Sequence, residues 1–158
     1  MGGGSSSYSG PSSRSTSDSE RIFRNVVDEK QKKLRNVFIS FKAEDESQVD
    51  LLRYQARQGL GVEFRDYSVK EPFDEKWKTN CRERIAQTSA VIVFIGRDTV
   101  ESEPVSWEIE EAYRQGKKVI AVRIYRDENN RLPEPLIRNK TRVINWDNSE
   151  ISRFLDSP

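Results

Sequence analysis

The sequence contains no histidine and a single cysteine, Cys81. The absence of histidine excludes Ser-His triads and histidine general bases, and it removes the commonest ligand of zinc and copper sites. One cysteine cannot form an internal disulfide. We therefore expect no metal site, and any acid, base or nucleophile must be an Asp, Glu, Lys, Tyr or Ser side chain or Cys81.

The chain also lacks an excess of charge of one sign and any long apolar run. Its formal net charge is only +1 although 34% of its residues are charged, so no overall field attracts nucleic acid or anionic lipid. It has neither an apolar stretch of membrane-spanning length nor the apolar core of a signal peptide. We expect a cytoplasmic protein with no nucleic-acid or membrane partner.

The first part of the chain differs in composition from the rest. Residues 1–19 are rich in Ser and Gly and lack the apolar groups that offset the entropy of ordering, which predicts a disordered leader. In residues 20–35 apolar side chains recur at helical spacing among many charges, which predicts an amphipathic N-terminal helix. Residues 36–158 remain as one domain.

From residue 36 onward, strand patterns alternate with helical patterns. Apolar, β-rich runs predict strands at 36–41, 62–65, 90–95, 119–124 and 142–146, and the run 90–95 is apolar throughout, as a central strand covered on both faces should be. Helical patterns cover 48–58, 74–88 and 105–115, with Asp74 as the expected N-cap of the second helix, and a terminal helical turn is expected near 151–155. This alternation predicts an α/β fold: a doubly wound, five-stranded parallel sheet in the flavodoxin-like order 2-1-3-4-5.

In such sheets a ligand binds beyond the carboxyl ends of the strands, where the connections diverge to opposite faces. The residues that follow Phe41 and Ile95 should flank this crevice. The sequence has neither a G-x-G-x-x-G after the first strand nor a G-x-x-x-x-G-K-[ST], so a Rossmann dehydrogenase and a P-loop NTPase are not supported. A response-regulator receiver would need acidic residues where Asn36, Ser40 and Gly96 stand.

Three segments resemble TIR domains. VFISFKAED at 37–45 is similar to their opening motif, FRDYSVKEPF at 64–73 to their second strand and following loop, and VSWEIE at 105–110 to their active helix. Over residues 36–146 the chain resembles the TIR-like domain family that includes ThsB of the Thoeris anti-phage system. One departure is Pro104, which stands where an aromatic residue often precedes the catalytic glutamate by four positions.

The resemblance implies that Glu108 is the catalytic residue, because it holds the place of the catalytic glutamate relative to Gly116 and Lys117. NAD+ would be the substrate, no cofactor would be needed, and the nicotinamide–ribose bond would be cleaved. A cyclic ADP-ribose signalling product is favoured over ADP-ribose. One carboxylate can suffice, because nicotinamide leaves as a neutral molecule and the ribose becomes an oxocarbenium-like cation. The alternative is that Glu108 is a solvent-facing helix residue.

Further residues are candidates for substrate binding. Phe41 could stack on a flat ring, while Lys42 and Arg97 could meet phosphate or ribose, and Asp45 flanks the same crevice. Trp107 is also a candidate, although it points about 100° away from Glu108 around the helix, which favours packing. Phe41 as a core residue and Arg97 as a solvated loop arginine stay open as alternatives.

The resemblance also implies an assembly loop, a segment that mediates association in many TIR domains. It consists of Asp66, Tyr67, Ser68, Glu71 and Phe73. The expected partners are further copies of the chain, a second TIR protein, or a defence effector that reads the product. Two other functions stay open: a non-catalytic adaptor that acts through such contacts, and a protein that binds the nucleotide without cleaving it.

Overall fold

The computed structural model describes residues 36–59, 63–66 and 73–158. The predicted leader 1–19 and N-terminal helix 20–35 lie outside these ranges. The strands are β1 (Asn36–Ser40), β2 (Glu63–Asp66), β3 (Ala90–Ile95), β4 (Lys118–Arg123) and β5 (Val143–Asn145). The helices are α1 (Glu46–Gly59), α2 (Glu75–Ala86), α3 (Glu103–Arg114), α4 (Glu134–Arg138) and α5 (Asn148–Asp156).

The strands form one parallel sheet in the order β2-β1-β3-β4-β5. The prediction of an α/β fold with a parallel sheet is confirmed. β1 lies beside β3, with Val37 opposite Ala90 and Ser40 opposite Val93. Because β2 continues the sheet on one side of β1 and β3 on the other, the connections diverge here, and a ligand crevice is expected at the carboxyl ends of these two strands.

The sheet buries apolar side chains on both faces, and alternate residues of β3 divide between the two resulting core clusters. Ile92 and Phe94 belong to the cluster that includes residues of α1 and α5. Val91, Val93 and Ile95 belong to the cluster that includes residues of α2 and α3. We call these the α1/α5 face and the α2/α3 face of the sheet.

Side-chain caps define where the two helices of the α2/α3 face begin. The predicted N-cap Asp74 accepts a hydrogen bond from the Trp77 amide at 2.9 Å, which confirms the predicted start of α2. α3 begins at Glu103, two residues earlier than predicted, behind the N-cap Ser102. Pro104 therefore lies in the first turn of α3, where its missing amide hydrogen leaves no helical bond unmade.

The last part of the chain contains more helix than the sequence pattern predicts. The five-residue helix α4 was not predicted, and it begins after Pro133 with Pro135 in its first turn. α5 replaces the expected terminal turn with nine residues, and Asp147 caps it by accepting from the Glu150 amide at 2.9 Å. Among the described residues, none of the helices combines the length and the apolar character that crossing a bilayer requires.

Candidate functional site

Glu108 lies in the second turn of α3 and is 2% exposed. Val105, Ile109 and Ala112 of the same helix are buried in the α2/α3 core, so Glu108 shares the helix face that packs against the sheet. The alternative that Glu108 is a solvent-facing residue is therefore wrong. A carboxyl group in such surroundings needs either compensation or a function.

Two side chains from other elements meet Glu108. Cys81 of α2 donates a weak hydrogen bond to Glu108, with 4.0 Å between Sγ and Oε1. Ser40, at the carboxyl end of β1, also lies beside the carboxyl group. Within the described part of the chain, neither Glu108 Oε2 nor Ser40 Oγ has a partner in hydrogen-bond geometry, although the Ser40 hydroxyl is near enough to lower the pKa of the carboxyl group. The site thus holds an acceptor and a hydroxyl that are both buried and both unsatisfied.

The surroundings of Glu108 disfavour its charged form. Burial raises the pKa of Glu108 from 4.5 to about 8, and the nearby Ser40 hydroxyl opposes the shift only partly. Burial, and then the neighbouring Glu108 carboxylate, also raise the pKa of the Cys81 thiol. Cys81 therefore stays a protonated donor, as expected of a buried thiol rather than a nucleophile.

Ser40 and Cys81 were not predicted as members of the site. The alternation of side chains along β1 could have placed Ser40 on the correct face of the sheet. Phe38 lies in the α2/α3 core, and Ser40, two residues later, points the same way. In α2 the inward residues Trp77, Cys81 and Ile85 follow one another at helical spacing. These patterns indicate which face each residue occupies, but not that both side chains reach Glu108.

Phe41 and Lys42, which follow Ser40 in the chain, have other surroundings than Ser40. Phe41 is 8% exposed and belongs to the core cluster of the α1/α5 face, the opposite face from Glu108. This position agrees with the alternative that Phe41 is a core residue. Lys42 is partly exposed, and its ammonium lies 3.9 Å from the carboxylate of Glu44. A role of either residue in substrate binding stays a prediction.

Asp45 and Arg97 are brought together by Tyr125. The Tyr125 hydroxyl donates to Asp45 Oδ1 at 3.4 Å, and the Arg97 guanidinium lies 4.6 Å above the ring centre. Arg97 is also held by Glu128 through three hydrogen bonds of 2.7 to 3.1 Å. Burial is the main cause that raises the pKa of Asp45. A Cβ atom at Gly96 would lie 2.2 Å from Asp45 Oδ2, so this close approach requires glycine.

Trp107 packs in an aromatic cluster together with Phe73 and Trp77. The Phe73 and Trp77 ring centres are 4.9 Å apart, those of Trp77 and Trp107 are 5.4 Å apart, and both contacts are edge-to-face. The expectation that Trp107 packs is confirmed. Of the predicted assembly loop, Phe73 belongs to this cluster and Asp66 ends β2, whereas Tyr67, Ser68 and Glu71 lie outside the described residues.

The chain is similar to known proteins over most of the sheet. The family model described as "Thoeris protein ThsB, TIR-like domain" matches residues 38–129, a range that contains Ser40, Cys81 and Glu108. No curated protein matches the chain.

Several solved structures resemble the fold. The TIR domain of the Toll-related receptor TRR-2 from Hydra magnipapillata is 17% identical, with 75% of this chain and 90% of that chain covered and a TM-score of 0.50. The CMP N-glycosidase BcmB from Clostridium botulinum is 20% identical, with 78% and 100% covered and a TM-score of 0.47. The TIR domains of the Roq1 resistosome are 18% identical, with 56% and 57% covered and a TM-score of 0.42. At 17% identity, the likeness to the TRR-2 TIR domain shows the fold alone.

Proposed function

Because the chain belongs to the family of Thoeris ThsB TIR-like domains, we propose that it is an NAD+-processing enzyme whose reactive group is the carboxylate of Glu108. It cleaves the nicotinamide–ribose bond and forms a cyclic ADP-ribose signalling product in anti-phage defence. The observation that carries the proposal is the buried Glu108 carboxyl group, with a free oxygen beside the free hydroxyl of Ser40.

The reaction asks little of the protein beyond one negative charge. The bond between ribose C1′ and the nicotinamide nitrogen breaks, and its electron pair leaves with nicotinamide, which becomes neutral. The positive charge passes to the ribose as an oxocarbenium ion, which the Glu108 carboxylate stabilises. No general acid protonates the leaving group, which agrees with a chain that has no histidine. Water or an internal nucleophile of the same molecule then attacks C1′.

The ribose diol complements the two unsatisfied atoms. Each ribose hydroxyl both donates and accepts, so one can donate to Glu108 Oε2 while its neighbour bonds to Ser40 Oγ. Binding of the diol would then remove the desolvation cost that both buried atoms carry in the free protein. In this proposal Ser40 positions the ribose and Glu108 stabilises the developing charge.

Substrate binding must also favour the charged form of Glu108. The pKa of about 8 leaves the carboxyl group of the free protein mostly protonated at neutral pH. The nicotinamide cation and the donating ribose hydroxyls both stabilise the carboxylate and lower this pKa. Because kcat/KM reports the free enzyme, we expect it to rise with pH until about pH 8. The Ser40→Ala variant should keep this rise of kcat/KM with pH.

Access is the remaining requirement, since Glu108 is 2% exposed. NAD+ binds only to a rearranged state in which the carboxyl group is accessible. Association of several copies can stabilise that state, so activity should depend on protein concentration. In this proposal, self-association of the chain is a condition for NAD+ cleavage.

The decisive experiment compares Glu108→Gln with Glu110→Gln on the same helix. Purified chain is incubated with NAD+ under crowding, nicotinamide release is followed by chromatography, and products are identified by mass spectrometry. We expect Glu108→Gln to reduce release by about 100-fold or more, as loss of a transition-state charge contact does. Glu110, which is 55% exposed, should tolerate the change. Equal release from both variants removes Glu108 from the mechanism.

A non-catalytic adaptor is the second candidate, and one observation favours it. Leu51 and Tyr54 of α1 are 50% and 64% exposed and lie one helical turn apart, which provides an apolar contact surface. If no condition yields NAD+ turnover while Leu51→Glu and Tyr54→Glu abolish self-association in sedimentation, the adaptor function replaces the enzyme. Turnover that is lost only in Glu108→Gln excludes the purely adaptor function.

A further inference from the structure

A cavity lies at the carboxyl end of β4. Its volume is about 540 Å³, and its lining includes Ser106, Arg123, Arg131, Leu132 and Ile137. Each of these residues lies in α3, β4, α4 or the segment between β4 and α4. The volume is within the range of about 300–1,000 Å³ that is usual for small-molecule sites.

The cavity and Glu108 are on different sides of α3. Ser106 precedes Glu108 by two residues, which corresponds to a rotation of about 200° around the helix. Glu108 points toward Cys81 of α2, whereas Ser106 is partly exposed and lines the cavity. A ligand in the cavity would therefore contact the helix that carries Glu108 without touching the Glu108 side chain.

Two guanidinium groups give the cavity its chemical character. Arg123 is partly buried, and its NH1 donates to the Asn130 carbonyl oxygen at 2.8 Å, which holds the side chain against the wall. Arg131 is exposed and lines the same space. Glu134 is the carboxylate among the lining residues, so the two arginines leave a net positive charge. A fork of guanidinium donors is suited to phosphate oxygens.

The lining also contains apolar side chains. They belong to Val100, Leu132 and Ile137, and Ile137 is 56% exposed. Bound apolar or aromatic atoms would cover this surface. The lining therefore combines a place for an anion with a place for a flat organic group, and inorganic phosphate would use only the first.

We propose that this cavity binds a small organic phosphate of the nucleoside monophosphate class. The phosphate bonds to Arg123 and Arg131, the Ser106 hydroxyl contacts the ligand from α3, and the base lies against Leu132 and Ile137. Occupation adds contacts to the first half of α3 and so stabilises the helix that positions Glu108. The proposal does not depend on NAD+ cleavage, because it concerns binding on the other side of the helix.

The test is calorimetric titration of the full chain with AMP, inorganic phosphate and adenosine as separate probes. We expect saturable AMP binding, with phosphate and adenosine each at least about fivefold weaker. Arg131→Gln and Arg123→Gln should each weaken AMP binding about tenfold or more, the effect of one lost charge-assisted contact. Arg142→Gln is the matched control, because Arg142 is exposed, pairs with Glu150 and does not line the cavity.

The variants also test whether a loss of AMP binding has another cause, such as a disturbed fold or binding beside Glu108. Since Arg123 also ties down Asn130, its variant can disturb the fold, but the exposed Arg131 can be replaced without that risk. Glu108→Gln should bind AMP as the unmodified chain does, and loss of binding in that variant would overturn the proposal. Absent AMP binding, unchanged binding in Arg131→Gln, or equal affinity for inorganic phosphate would overturn it as well.

Discussion

Glu108 and Glu111 are two buried carboxyl groups on the same helix, and their surroundings differ. Glu111 is 4% exposed and forms ion pairs with Arg114 and with Arg82, whose Nε lies 3.6 Å away. Gln115 adds a hydrogen bond of 2.8 Å to Glu111 Oε1. The charge of Glu111 is thus compensated by its own helix and by α2, as a buried charge that serves the fold requires.

Glu108 has no comparable compensation among the described residues. It is 2% exposed, its contact with Cys81 is a weak one at 4.0 Å, and its Oε2 has no partner. Burial alone therefore does not distinguish a functional carboxyl group from a structural one. The absence of a compensating cation distinguishes them, because it leaves a group that a cationic substrate can stabilise.

The largest effect should be on the pH dependence of stability, measured in Glu108→Gln. The pKa of Glu108 is raised in the folded state from 4.5 to about 8. The stabilising contribution is therefore complete below pH 4.5 and is lost as the pH rises toward 8, because the unfolded chain releases the proton first. Glutamine has no such dependence, so between about pH 5 and 8 the variant should gain roughly 4 kcal/mol relative to the parent chain.

Urea denaturation at several pH values measures this gain directly. Glu110→Gln serves as the control, since it makes the same change on the same helix at a side chain that is 55% exposed. Parallel stability curves for the parent chain and Glu108→Gln would mean that Glu108 is ionised in the folded protein and that its contrast with Glu111 is wrong.

The opposite result is expected for Glu111→Gln. This change removes the negative charge that Arg82 and Arg114 face, while the amide can still bond to Gln115. Because both arginines are substantially exposed, the loss should be about 2 kcal/mol rather than the larger cost of breaking a fully buried pair. Urea denaturation at pH 8 should then show Glu108→Gln above and Glu111→Gln below the parent chain. Stabilisation by Glu111→Gln would contradict the distinction between the two residues.

A smaller change in stability, but a clear one in activity, is expected for Ser40→Ala. The Ser40 hydroxyl is buried and has no partner, so its removal should alter the free energy of unfolding by less than about 1 kcal/mol. If Ser40 positions the ribose, kcat/KM for NAD+ should fall about tenfold, the effect of one hydrogen bond to substrate. Thermal melting and initial rates separate the two effects, and unchanged kcat/KM would exclude Ser40 from the site.

Much of the fold could be predicted because the signals are local. The fully apolar β3 predicted a central buried strand, and Asp74 ahead of a helical pattern predicted a cap. α4 escaped prediction because its five residues are too few to show a period and because Pro133 and Pro135 are typical of loops as well as of helix starts. The observed ends of α1, α2 and α3 differ from the predicted ends by one or two residues, because caps depend on side-chain contacts that the sequence pattern does not show.

The site was less predictable because its contacts join distant parts of the chain. Glu108 could be singled out by family resemblance, but its burial depends on how α3 packs against α2 and β1. The sequence shows glutamates at 108, 110 and 111 without indicating which of them lack cations. Arg97 was expected near a substrate, yet its partner is Glu128, a residue no pattern connected with it.

The smallest effect should come from Glu110→Gln, which tests whether the contrast between Glu108 and Glu111 depends on burial rather than on helix position. Glu110 lies between them, pairs with Arg138 at 3.3 Å, and both side chains are more than half exposed. Water and ions screen such a pair, so its loss should change the free energy of unfolding by less than about 0.5 kcal/mol. Urea denaturation should show a difference within this limit at low salt and a smaller difference at high salt. A loss of stability as large as that of Glu111→Gln would show that negative charge anywhere along α3 stabilises the fold. The difference between Glu108 and Glu111 could then not be attributed to their buried surroundings.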